Sequence, residues 1–137
     1  HVLGYPADDV VFDILNAIIF KNHEQLAELF QNWSNQHVSI EYVIKRSLEM
    51  IYDLLMIQYQ SKQKYQSLTQ KMIEKVSSCK LSDLIICFDE LCMLDVTIQK
   101  TGKKQLLFES LMLRLALRDQ ILEHTNAHAK LHEQKKK

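Results

Sequence analysis

The chain has 137 residues, of which 47% are apolar and 25% charged, and its 17 lysines and arginines are balanced by 17 aspartates and glutamates. That length suits one globular domain able to bury roughly two-thirds of its unfolded surface, and the composition is not that of a disordered chain. With no basic excess and no apolar run near the roughly 18 residues needed to span a bilayer, neither direct nucleic-acid binding nor a membrane partner is expected.

Two glycines and one proline leave little turn or sheet punctuation, so the expected fold is all-α, a single bundle of five to six helices. Pro6 lies where proline is tolerated, near the start of a first helix that spans about Asp8 to Lys21 with Val11, Ile14, Leu15, Ile18 and Ile19 on one face. Asn22 and His23 break it, and a second helix, about Glu24 to Asn35, sets Leu26, Leu29, Phe30 and Trp33 at helical spacing. Ser39 is an N-cap for a long third helix reaching about Gln60, with a stripe of Val43, Ile44, Leu48, Ile51, Leu54 and Leu55. The polar QSKQKYQS, residues 60 to 67, reads as a loop before a short fourth helix from Leu68 to about Ser77. Ser82 is the expected cap of a fifth helix with Ile85, Phe88, Leu91, Cys92 and Val96 toward the core, ended by Gly102 in the position glycine favours just past a helix.

The sixth helix is unusual. Nine of the twelve residues from Leu106 to Leu117 are apolar, interrupted only by Glu109, Ser110 and Arg114, so at about 100° per residue apolar side chains point in every direction. Isolated charges in such a helix must reach water or a partner, because an unpaired buried charge is costly. The helix is expected to continue toward Glu123. Residues 1–123 then form the helical domain, and 124–137 form a polar, basic tail that frays.

Motifs with chemistry are scarce. Thr101-Gly102-Lys103-Lys104 is a poor phosphate loop: Thr97 occupies the place of the first glycine, and Lys104 stands where serine or threonine must hold magnesium. His124, His128 and His132 recur every four residues and would line one face of a continued helix, where neighbouring pairs can chelate a divalent ion. No carboxylate or cysteine shares that face, so a solvated tail is the favoured reading and no metal site is expected. Asp8 with Asp9, and Asp89 with Glu90, point about 100° apart on a helix and read as first-turn or surface charges, not an acid–base pair. Cys79, Cys87 and Cys92 lack zinc or redox spacing and read as reduced small hydrophobes in a cytoplasmic protein. No catalytic residue and no cofactor site is expected.

The order of the segments resembles the C-terminal helical collar domain of the bacterial DNA polymerase III clamp loader gamma/tau subunit. Val2-Leu3-Gly4 looks like the connector that leaves the ATPase part, with His1 a remnant ahead of a segment of a larger protein. DDVVFDILNAIIFKNHEQLAELFQNW is similar to the family's first helix pair, and SIEYVIKRSLEMIYDLLMIQ to its long third helix. LSDLIICFDELCMLDVTIQKTG is similar to the helix before the last, and Phe108-Glu109-Ser110-Leu111-Met112-Leu113-Arg114-Leu115 to the family's Leu-Glu-x-x-Leu-Leu-Arg-Leu signature. Departures are Tyr52 in place of an arginine before Asp53-Leu54-Leu55, and Lys103-Lys104-Gln105 in place of a proline-bearing lead into the last helix. The glycine common before the third helix is missing around Gln36-His37.

The resemblance implies an oligomerisation domain without catalysis of its own, whose partners are other gamma/tau copies and the delta and delta-prime subunits. The equivalent domain of delta or delta-prime is an alternative, and so is an unrelated helical adapter for a peptide helix. The intact protein would load the sliding clamp in DNA replication with an AAA+ ATPase, as part of a DNA-directed DNA polymerase holoenzyme. ATP, magnesium and zinc would be held in N-terminal domains, not in this segment. The expected interface residues are Leu107, Glu109, Leu111 and Arg114.

Overall fold

Scarce proline and glycine translate directly into backbone. A computed structural model describes residues 4–34, 36–58 and 68–135, and these hold seven α-helices and no strand. The helices are α1 (Asp8–Ile19), α2 (His23–Trp33), α3 (Ile40–Gln58), α4 (Gln70–Lys75), α5 (Leu81–Thr97), α6 (Lys104–Ala116) and α7 (Arg118–Lys135), with a 3-10 turn at Ile98–Lys100 after α5. No helix among the described residues is long and apolar enough to cross a membrane. The expected loop at residues 60–67 and the ends of the second and third helices at Asn35 and Gln60 lie outside the described residues.

The central element is α1. It packs against α2, α3, α5 and α6, and Val11, Phe12, Ile14, Leu15, Ala17, Ile18 and Ile19 are all buried. Its polar residues Asp9, Asp13 and Asn16 fall at i, i+4 and i+7, a strip too narrow to keep the helix at the surface. α1 ends in a Schellman turn: Lys21 takes a left-handed φ of 60° and the Asn22 amide donates to the Ala17 carbonyl at 2.8 Å. Asn22 then caps α2 by accepting from the Gln25 amide at 3.1 Å. α2 docks on α6 through Phe30, Trp33 and Phe108, whose ring centroids lie 5.3 to 6.1 Å apart.

α3 starts where Ser39 accepts from the Tyr42 amide at 3.3 Å. The Ser39 amide donates to the Gly4 carbonyl at 2.7 Å, which ties the N-terminal arm to this turn. Gly4 has a φ of 80°, and a Cβ there would stand 3.1 Å from the His37 carbonyl oxygen, so glycine is required on both counts. Asp8 is a first-turn charge, as its position suggests, and is forked by Arg46 at 2.9 and 2.8 Å.

Three expectations about α5 and the turn after it are corrected. α5 begins at Leu81 with Lys80 at the N-cap, so Ser82 lies inside the first turn and is not the cap. The core face of α5 is Leu84, Cys87, Leu91 and Leu94; Ile85 and Val96 turn outward. This helix is apolar on most sides, so periodicity selects no face, and the face is chosen by the long contact with α3. Gly102 does not adopt a left-handed φ, because the 3-10 turn has already ended the helix.

The last correction concerns the C-terminal part. The sixth helix does not run to Glu123: it stops at Ala116, and the chain turns at Leu117. A separate helix, α7, then continues unbroken to Lys135, where a frayed tail was expected.

Candidate subunit interface

α6 carries the residues that the sequence singles out. Its buried side, Phe108, Met112, Leu115 and Ala116, faces the bundle. Leu107, Leu111 and Leu113 are only partly covered by the core, and Leu106 is 63% exposed. The bundle therefore does not enclose this helix. Of the two charges, Glu109 accepts a hydrogen bond from the buried Trp33 indole N–H at 3.2 Å, so its partner lies within the chain. Arg114 is exposed.

α5 adds a second uncovered strip. Met93 is 68% and Val96 67% exposed, and Ile85 and Ile86 also face outward. Between α5, α6 and α7 runs a groove of about 310 Å³ lined by the apolar Ile86, Leu111, Leu115, Ile121 and Leu122 and by the polar Glu90, Arg114, Arg118 and Thr125. The groove thus collects Leu111 and Arg114 from the expected set. Leu107, half-buried against the core as Leu111 is, does not line the groove, and Glu109 accepts from Trp33.

What holds α6 and α7 in this relation is Arg118, which periodicity did not reveal. One terminal nitrogen donates to the carbonyls of Ile18 at 2.6 Å and Leu115 at 2.7 Å. The other donates to Ile19 at 3.0 Å and to Asp83 Oδ1 at 2.8 Å. The three carbonyls belong to the last turns of α1 and α6, where a helix has acceptors with no internal partner and a partial negative charge. Asp83 sits in the first turn of α5, the end that favours an anion. Arg118 and Asp83 side chains are 14% and 16% exposed, so the pair is largely desolvated. Lys21 closes the cluster, 3.8 Å from Asp83 and 2.8 Å from Asp119. Its ammonium holds the Asp119 carboxyl below the usual aspartate range. The available signal for Arg118 was a basic residue just past an apolar helical run, a common helix-end partner.

The phosphate-loop and cysteine motifs gather no chemistry. Thr101 to Lys103 link the 3-10 turn to α6, with Lys103 N–H donating to Thr101 Oγ1 at 3.1 Å and no strand before them. Burial pushes the Cys87 thiol up to about 11 and raises Cys79 and Cys92 as well, so thiolate is scarce at neutral pH. His124, His128 and His132 stand exposed on α7. A larger apolar pocket of about 670 Å³ opens elsewhere, between Pro6, Val10, Leu29, Trp33 and Val38.

Comparison with protein-family models, with characterised proteins and with solved structures yields no match for this chain.

Proposed function

We propose that this chain is a scaffold domain that assembles with copies of itself and with related subunits, without catalysis of its own. The assembly it fits best is the collar of a bacterial clamp loader of the gamma/tau type, or the equivalent domain of delta or delta-prime. One observation carries the reading: apolar side chains stay uncovered along α5, α6 and the first turn of α7, with Ile85, Ile86, Met93, Val96, Leu106, Ile121 and Leu122 all exposed. Scattered exposed apolar residues are ordinary, but several on adjoining elements beside a groove suit a protein interface. A standard interface buries about 800 Å² per partner and has few charges at its centre, and five of the nine residues lining this groove are apolar. ATP, magnesium and zinc belong, on this reading, to other domains of the intact protein.

Sedimentation velocity over a concentration series tests the proposal. The chain should self-associate, or form a complex with purified delta and delta-prime. M93E/L122E, which alters only exposed positions, should abolish association while the helical circular dichroism stays the same. A chain that remains monomeric at every concentration and ignores both subunits would overturn it. A second reading, a monomeric adapter for a peptide helix, draws on the 670 Å³ pocket, which neither Met93 nor Leu122 lines and whose apolar walls suit an amphipathic helix. It requires a monomer that keeps binding its ligand after M93E/L122E.

A further inference from the structure

α7 turns a pattern in the sequence into a geometry. The helix is continuous from Arg118 to Lys135, so His124, His128 and His132 lie on successive turns of one face, and all three are exposed. Residues four apart on a helix have Cβ atoms about 5–6 Å apart, and two histidines at that spacing are the pair with which a single helix grips zinc in the H-E-x-x-H arrangement. His124 and His132, eight residues apart, are separated by about 12 Å along the axis. That is too far for both to reach one ion at zinc–nitrogen distances of about 2 Å.

We propose that His124 and His128, with His132 as an alternative second ligand to His128, form a surface clamp on α7 for a borderline divalent transition-metal ion such as Zn²⁺. Borderline ions suit imidazole. The positions three and four residues from His128 are His124, Thr125, Leu131 and His132, so no lysine or arginine competes there. Among the described residues no three His, Cys, Asp or Glu side chains could hold an ion together. The clamp therefore supplies two protein ligands, and water completes the shell. Because His128 belongs to both pairs, one chain holds one ion at a time.

The clamp also has something to act on. Among the described side chains of α7, residues 118–133, none is buried, and an isolated helix of this length is marginal in water. A link across two successive turns holds the distal half helical, which packing does not do.

The test is zinc titration calorimetry on the full 137-residue chain, with amide hydrogen exchange across α7. Zinc should bind at one equivalent and slow exchange in the last turns of α7. H128A removes both pairs and should weaken binding by about 100-fold, the avidity lost with a second linked ligand. H124A and H132A each leave one pair and should change affinity by less than about tenfold. All three positions are exposed and alanine favours helix, so folding is unaffected and the metal-free spectra should coincide. Three possible results would overturn the proposal: equal losses from the three single variants, zinc uptake without slower exchange in α7 (an adventitious ion only), or no zinc binding.

Discussion

Replacing Arg118 by methionine tests the node that joins the two ends of the chain. Methionine keeps the stem and removes the guanidinium, so four hydrogen bonds are lost together, three to main-chain carbonyls and one to Asp83. Removing one partner of a buried ion pair costs about 3–5 kcal/mol, because the other charge stays desolvated. Two features favour the lower end: Lys21 remains 3.8 Å from Asp83, and the carbonyls lie at helix ends that water can reach once the side chain is gone. The expected cost is therefore about 3 kcal/mol, a large share of the roughly 5–15 kcal/mol of a typical domain. In urea the midpoint should fall by about 1–3 M at a typical slope. R118K keeps the charge without the planar fork and should fall between the two. D83N/R118M should cost less than the sum of its single variants, since each alone strands the other group. A midpoint for R118M within about 0.3 M of the parent, at unchanged slope, would refute the assignment of Arg118 as the keystone.

Three further outcomes are expected. E109L strands the buried indole N–H of Trp33, the sole tryptophan; it should cost about 1–3 kcal/mol and shift tryptophan emission, whereas E109Q keeps an acceptor and should shift neither much. S47A removes a buried hydroxyl that has no hydrogen-bond partner among the described residues, so thermal unfolding should move upward by the equivalent of up to about 1 kcal/mol; a loss of stability would mean that the hydroxyl is satisfied. The hydrogen bond from Arg46 holds the Asp8 carboxyl below the usual aspartate range. A lowered folded pKa stabilises above the unfolded value, near 3.9, and the contribution disappears as pH falls through the folded value. D8N should therefore be less stable than the parent at neutral pH, by under about 1 kcal/mol because the pair is partly exposed, and the two urea curves should converge in acid.

The first half of the fold is legible in the sequence because local signals agree there. Ser39 caps α3 as expected, α1 ends close to the break expected at Asn22 and His23, and α2 and α3 carry stripes with a clear polar side. α5 is legible as a helix but not in its orientation, since Ile85 and Leu84 are equally apolar and only the contact with α3 distinguishes them. The break between α6 and α7 has no glycine or proline to announce it. It comes from Arg118 reaching carbonyls a hundred residues earlier, at Ile18. Glu109 is similar, for its partner Trp33 lies 76 residues away. Periodicity marks the apolar excess of α6 and the groove residues Leu111 and Arg114, but it cannot tell half-burial against the chain's own core, as at Leu107, from exposure to a partner.

The placement of α1 has a consequence for biosynthesis. Among these helices the one made first ends up innermost, and two of its walls, α5 and α6, follow well after it. Until about residue 116 has left the ribosome, its greasiest side chains have no roof. A nascent or truncated chain ending before α6 would leave one side of this greasy twelve-residue helix uncovered, a natural substrate for holdases and proteases.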